Sequence, residues 1–378
     1  MSKNDEQHES TPSNLLDGMG CNSKILAVAP MMDWTDRHCR SFHRLLSQKA
    51  TLYTEMITTG ALLNGDAPRH LDYSQKEHPL VLQLGGSEPE ELAQAAKLAE
   101  QWGYDQIDLN CGCPSERVQR GSFGACLMAE PNLVATCVKA IKDVVSIPVS
   151  VKHRLGLNQM NPADNPVDYQ FVLDFMCKVA EAGASQLTIH ARNAVLKGLS
   201  PKENRTVPPL RYDVAKRLRL DAQKHFPSLK VLLNGGLVDN SDIARYWHDF
   251  DGFMMGRSAY HQPALLLGWD EMLQTQGQSH GYFLNEQVWM RVQEGFVAST
   301  ISWLRECEAQ GVQFHLASIT RHILGFAHGL GGSKYWRQQL SDYRLLGSVK
   351  TAHDIETFFA DAAKKLRIFA ETYEDSSD

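Results

Sequence analysis

Eight short apolar segments, separated by helical or turn-rich stretches, constrain this chain more than any other feature. They are Ile25–Pro30, Leu52–Met56, Leu80–Leu84, Gln106–Asn110, Pro148–Arg154, Gln186–Arg192, Lys230–Gly236 and Gly252–Arg257. In Gln106–Asn110 the apolar side chains fall on alternate positions, the period of a strand. Between the segments lie helical patterns such as Asp36–Leu46, Pro89–Trp102, Pro131–Val145 and Asp168–Ala182. Proline opens two of these, and Gly183 stops the last. Strands alternating with helices build parallel sheets, and eight of them predict a closed (β/α)8 TIM barrel. An open doubly wound sheet would need a Gly-rich turn after the first strand. Pro30-Met31-Met32 is nothing like that turn.

The barrel should close near Pro263, because no strand pattern follows it. Asn285–Gln310 and Thr351–Tyr373 read as long helices, and Phe314–Leu346 as helical with a Gly-rich break at Gly329–Gly332. The chain therefore divides into a disordered tail (1–22), a barrel (23–268) and an all-helical C-terminal domain (269–378). Leu157–Pro166 reads as a polar loop. No apolar run approaches the roughly 20 residues that span a bilayer, and Met1–Met19 lacks a signal peptide's apolar core. The 8 cysteines form no disulfide framework. A soluble protein of the reducing cytoplasm is expected.

In barrels of this kind the chemistry sits at the C-terminal ends of the strands. Those ends carry Pro30, Met31 and Met32, then Glu55, Gln83, Asn110 with Cys113, Lys152 with Arg154, His190 with Arg192, Asn234 with Gly235 and Gly236, and Gly256 with Arg257. The set is far more polar than the strand interiors. The fourth end is the densest. There Gly112 and Pro114 bracket Cys113 in a bend that cannot prolong a strand, and Gly121 and Gly124 allow close backbone approach. Cys111 and Cys113 could be half a zinc site, but no second C-x-x-C exists. Cys113 could also be a buried, inert thiol, a reading that the surrounding glycines and arginines disfavour. Gly235, Gly236 and Gly256 can offer backbone N–H groups to a phosphate, and Arg257 a guanidinium fork. Lys152 could instead pair structurally with Glu55.

The net charge of -6 is uneven. Both termini are acidic, and without residues 1–20 and 371–378 the remainder is close to neutral. His190–Leu220 holds eight Lys or Arg against two acids, and Ser318–Lys350 five against one. Two basic patches on a neutral body suit phosphate contacts.

The run Asn110-x-Gly112-Cys113-Pro114-Ser115, followed by Gly121-x-x-Gly124-Ala125-x-Leu127-Met128, resembles the signature of the tRNA-dihydrouridine synthases. The likeness extends from Val28 into the C-terminal helices, and several stretches resemble subfamily A, which acts on uridines 20 and 20a of the tRNA D-loop. These are FMN enzymes of the CH–CH oxidoreductase type that use NADPH. The resemblance implies that Pro30, Met31, Met32, Gln83, Lys152, His190, Asn234, Gly235, Gly236, Gly256 and Arg257 bind FMN. Lys152 and His190 would suit the flavin's N1/C2 edge, where negative charge builds up on reduction. Dihydrouridine formation adds a hydride to C6 of uracil and a proton to C5. In the family the cysteine at the position of Cys113 gives that proton, and an ordinary thiol is protonated at neutral pH. Asn110, Lys152, Arg154 and Arg192 are the candidates around the base, with donors aimed at O4. The loop bearing Lys202 and Arg205 resembles a tRNA-contact loop, and Thr320–Gly325 and Lys334–Arg337 resemble tRNA-binding segments of the helical domain. The family often has Arg where this chain has Lys334. NADPH rests on the resemblance alone, since no 2′-phosphate motif is found. No metal, membrane or obligatory protein partner is expected. The competing readings are a flavin barrel acting on a free pyrimidine and an RNA-binding module with vestigial chemistry. The basic patches and helical domain disfavour the first, and the complete set of strand ends the second.

Overall fold

The computed structural model describes residues 24–158, 167–278 and 284–368. The expected tail (1–22), most of the polar loop expected at 157–166 and the acidic C-terminus lie outside these residues.

The eight barrel strands are Ile25–Val28, Leu52–Thr58, Leu80–Gly85, Gln106–Cys111, Val149–Arg154, Gln186–His190, Lys230–Asn234 and Gly252–Met255. They form one parallel sheet in chain order, with the last beside the first. The ring is closed by a bridge between Ala27 and Thr51. There Val28 N–H donates to Thr51 O at 3.0 Å and Thr51 N–H to Leu26 O at 2.8 Å. The expected strands run past the ladder at several ends. Pro30, Arg192, Gly236 and Arg257 all lie beyond the last paired residue, in the loops where barrel sites are built. Leu157–Asn158, expected as loop, pairs in parallel with Ala194–Val195. Two residues are too few to show an alternation.

The two faces of the strands differ sharply. Ile107, Leu109, Cys111, Val149, Val151, Leu187, Ile189, Val231 and Leu233 belong to the continuous apolar core shared with the surrounding helices. The alternate residues form the barrel interior. A small separate cluster of Ala27, Ala29, Tyr53, Val81 and Met254 is its apolar part. Apart from Leu232, the rest is buried and polar: Gln83, Gln106, Asp108, Asn110, Ser150, Arg154, Gln186, Thr188, His190 and Asn234.

Local signals place the helices as the sequence predicts. Asp36 caps helix Arg37–Leu46, accepting from His38 N–H and Cys39 N–H at 3.0 Å each. Pro89 opens helix Pro89–Trp102, and Gly103 (φ 96°) ends it in the left-handed conformation. The C-terminal region is helical, but more broken than expected. Phe314–Leu346 resolves into Leu316–Thr320, a run of turns, Ser333–Ser341 and the start of Tyr343–Ser348. The last helix among the described residues starts at a Thr351–Asp354 capping box and ends at Ala363; the expected end at Tyr373 lies outside the described residues.

These helices dock on Arg37–Leu46. Phe42 meets the ring edges of Phe296 and Phe326, each at 5.5 Å. Gly295 sits under Leu45, where a Cβ would come within 2.7 Å of Leu45 Cδ2. Arg37 lies 4.4 Å over the Trp303 ring and pairs with Glu306 at 3.3 Å. Among the described residues no helix is long and apolar enough to cross a membrane.

Candidate active site at the barrel mouth

The fourth strand ends in a turn held by its own side chain. Asn110 Oδ1 accepts from Gly112 N–H at 3.1 Å and Cys113 N–H at 3.0 Å, an Asx arrangement that fixes the bend. From behind, Cys113 O accepts from Ala125 N–H at 2.9 Å. Gly124 (φ 79°) makes this approach possible, because a Cβ there would fall 2.7 Å from Cys113 O and 2.4 Å from Val118 Cγ1. The Cys113 side chain is half-buried, with Sγ 3.6 Å from Ser115 Oγ. Cys111 is fully buried in the outer core, and burial pushes its thiol well above the ordinary range. The two sulfurs thus have different environments.

Beneath Asn110 runs a chain of side-chain hydrogen bonds. Asn110 Nδ2 donates to Gln83 Oε1 at 2.9 Å, and Gln83 Nε2 donates to Asp108 Oδ2 at 2.7 Å. Ser150 Oγ donates to Asp108 Oδ1 at 2.7 Å and accepts from Gln106 Nε2 at 2.7 Å. The register puts Gln83, Asp108 and Ser150 opposite one another on adjacent strands.

Lys152 lies opposite Asn110 and donates to Asn234 Oδ1 at 3.0 Å. Asn234 is in turn fixed by donating to Met254 O at 2.7 Å. Burial lowers the Lys152 pKa to about 8, with the nearby Arg154 acting the same way and Asp108 opposing. No pair with Glu55 forms; that carboxylate instead accepts from Asp33 N–H. His190 is pushed far below its ordinary range by burial and then by Arg154, Lys152, Arg192 and Arg257, so it is neutral at pH 7. Its ring packs on Gly235 (φ 98°), where a Cβ would fall 2.2 Å from His190 Cδ2. Met31 and Gly256 also meet at the mouth: a Cβ at Gly256 would lie 3.7 Å from Met31 Sδ. Met32 is exposed.

The arginines do different work from one another. Arg154 is buried and spends its guanidinium on backbone, donating from Nε to Gly112 O at 3.1 Å and from Nη1 to Asn204 O at 2.8 Å. It ties the Cys113 turn to the loop after the sixth strand. Burial lowers its pKa to about 9. Arg192 donates to Thr206 O at 3.4 Å and to Pro208 O, and its buried Nε has no partner. Arg257 is exposed and donates to Arg205 O at 3.2 Å. Among the described residues, no ion pair involves Lys152, Arg154, Arg192, Arg205 or Arg257. Lys202 and Arg205 are exposed on the same loop, and Lys334 and Arg337 are exposed on helix Ser333–Ser341, whose Trp336 is buried.

Thr320–Gly325 is an internal contact rather than a free surface. His322 is buried, with Nε2 3.0 Å from Asp36 Oδ2 and Nδ1 3.2 Å from Tyr260 OH. Thr320 Oγ1 donates to Leu340 O at 3.0 Å, and a Cβ on Gly325 would come within 2.1 Å of His261 O. Only Arg321 remains exposed, donating to Asp33 O in the loop after the first strand. Beside it Trp34 stacks on Tyr260 at 4.3 Å. Asp108, Ser150 and Trp34 are not among the residues expected to serve the site. The signal for Asp108 was present: a carboxylate two residues before Asn110 in a strand must share its face.

A parallel barrel with a half-buried thiol and unpaired cations at its mouth is the framework of an enzyme that handles anionic ligands. The family described as Dihydrouridine synthase (Dus) matches residues 27–363, and the chain belongs to this family of oxidoreductases. It is 50% identical over 319 residues to tRNA-dihydrouridine(20/20a) synthase of Pseudomonas putida, covering 84% of this chain and 88% of that protein. The likeness to the protein of the same name from Pseudomonas aeruginosa is 50% over 319 residues, 84% of this chain and 90% of that one. For the Yersinia pestis protein of that name it is 48% over 317 residues, 84% and 85%.

Proposed function

We propose that this protein reduces uridines 20 and 20a of the tRNA D-loop to 5,6-dihydrouridine, with FMN as cofactor and NADPH as reductant. The observation that carries the reading is Cys113 at the mouth, its backbone N–H held by Asn110, which lies across from Lys152. The cations without carboxylate partners fit a phosphorylated cofactor and an RNA substrate, since both bring the missing negative charge. FMN, when bound, supplies the hydride that adds to C6 of uracil.

This chain's residues do the rest. Arg257, with the backbone of Gly235, Gly236 and Gly256, would hold the FMN phosphate. Gln83, Lys152, His190 and Asn234 would face the ring system, with Pro30, Met31 and Met32 beside it. As charge builds at O4 of uracil, nearby N–H donors and cations stabilise it, and the buried setting strengthens their effect. Cys113 Sγ–H would deliver the proton to C5. Arg192 would face the base. Arg154 would contribute charge while bracing the turn, because two of its nitrogens are committed to backbone carbonyls. The base must leave its stack to reach this depth. Lys202, Arg205, Lys334 and Arg337 would meet tRNA phosphates.

The test is direct. Purified protein should be yellow, and with NADPH it should convert tRNA lacking dihydrouridine, one NADPH per dihydrouridine. Reduction of free uridine at a comparable rate would move the assignment to a free-pyrimidine enzyme. A colourless protein that binds tRNA without reducing it would leave only an RNA-binding module.

A further inference from the structure

We propose that Asp108 is a positioning residue, the terminal acceptor that sets the conformation of the Cys113 turn through Gln83 and Asn110. It makes no contact with the thiol and sits wholly buried in the barrel interior. Burying a carboxylate without an ion pair is costly, so its partners explain its presence.

The direction of the chain is fixed at its upper end. Gly112 N–H and Cys113 N–H can only donate, so the Asn110 atom they meet is the oxygen. Asn110 Nδ2 must then donate downward, which makes the Gln83 atom it meets Oε1. Gln83 Nε2 is left pointing at Asp108, and only an acceptor satisfies it there. From the other side Ser150 also donates to this carboxylate. Every donor in the network points toward Asp108. Without that acceptor Gln83 Nε2 would be a buried donor with no partner. The Gln83 side chain would then leave this position to find another acceptor, withdrawing Oε1 from Asn110 Nδ2 and loosening Asn110's hold on the turn. Burial raises the Asp108 pKa to about 6, with the bonds from Gln83 and Ser150 and the Lys152 charge opposing.

The importance of this turn for catalysis rests on the reading of Cys113 as the acid. The geometric claim does not, and it can be read without cofactor or tRNA turnover. Amide hydrogen exchange at Gly112 and Cys113 reports whether Asn110 still holds them. In Asp108→Leu, exchange at these two amides should be at least about tenfold faster, the loss of one well-buried hydrogen bond. Asn110→Ala should give the same gain, and the double variant no more than the larger single one, because both changes cut one chain. Asp108→Asn keeps an oxygen toward Gln83 while its NH₂ faces Ser150, whose hydroxyl can turn to Ile107 O, already 3.4 Å away. It should stay within about twofold of wild type. In turnover, Asp108→Leu should lower kcat and leave the KM for tRNA unchanged, with Asp108→Asn rescuing kcat. If Asp108→Leu does not fold, Gln83→Leu interrupts the same chain with the carboxylate in place and should show the same exchange gain. Wild-type exchange at Gly112 and Cys113 in a folded Asp108→Leu or Gln83→Leu variant overturns the proposal. So does Asp108→Asn exchanging as fast as Asp108→Leu, which would make the charge, not the acceptor, the active feature. Correct exchange behaviour in a protein that fails to reduce tRNA would leave the positioning role standing and reject the functional reading instead.

Discussion

The two faces of the fourth barrel strand hold opposite kinds of chemistry a few ångströms apart. Ile107, Leu109 and Cys111 point into the apolar core, fully buried. Gln106, Asp108 and Asn110 point inward and are almost as buried, yet every one is polar and hydrogen-bonded. The outer face contributes stability through area removed from water, roughly 25 cal/mol per Å². The inner face works against stability. Burial lowers Lys152 to about 8 and Arg154 to about 9, and raises Asp108 to about 6. Each shift means that folding disfavours the charged form. A conventional barrel interior is packed with branched apolar side chains. This one is kept polar, and the outer core supports the difference. Stability and function can therefore be broken separately.

The largest functional loss should come from Cys113→Ala. Single-turnover reoxidation of NADPH-reduced enzyme by tRNA should slow by about 10²–10⁴-fold, the usual loss of a general acid, while thermal stability stays near wild type. Equal rates would leave Cys113 a structural thiol. Leu109→Ala should do the reverse. It should cost about 2–5 kcal/mol of unfolding free energy, read by denaturant titration, with normal reoxidation in the protein that remains folded. Cys111→Ala should be milder still on stability and silent in rate. Arg257→Ala should weaken FMN by about 10–100-fold, the worth of a charge-assisted hydrogen bond. Normal flavin occupancy after dialysis would contradict its assignment to the phosphate.

The next effect is on pH. Lys152 is lowered in the fold from 10.5 to about 8. Between those values the unfolded chain binds more protons than the folded one, so this group adds stability as pH rises. Its attraction for an anion runs the other way and fades above about 8. FMN affinity should thus fall as pH rises past 8, by up to about tenfold per unit, with no loss of stability from this group. Lys152→Met should bind weakly at all pH values and lose that dependence. The smallest effect is expected from charge reversal at Lys334 and Arg337. It should flatten the salt dependence of tRNA binding by roughly one unit of slope per phosphate contact.

The barrel was legible because its outer core imposes a strand period on the sequence. The mouth was legible because polar residues at strand ends stand out against that period. What escaped depends on contacts made across the fold. Leu157–Asn158 finds its partner at Ala194–Val195 only once the barrel has closed. Thr320–Gly325 resembles a tRNA-binding segment, and the sequence does not announce that its histidine is buried against Asp36 and Tyr260. That Arg154, expected beside the base, also braces Gly112 O and Asn204 O shows only in the fold. The final helix stops at Ala363 although its apolar pattern continues. Gly331 O then accepts from Arg367 N–H at 2.8 Å, in an antiparallel bridge no helical period announces.

The central claim is that this chain makes dihydrouridine at positions 20 and 20a of tRNA, with Cys113 as the acid. Mapping dihydrouridine in tRNA from cells lacking the gene tests it most directly. Both positions should be plain uridine, restored by the wild-type gene and by Cys111→Ala but not by Cys113→Ala. Dihydrouridine retained at both positions in the deletion, or restored in full by Cys113→Ala, would contradict the account.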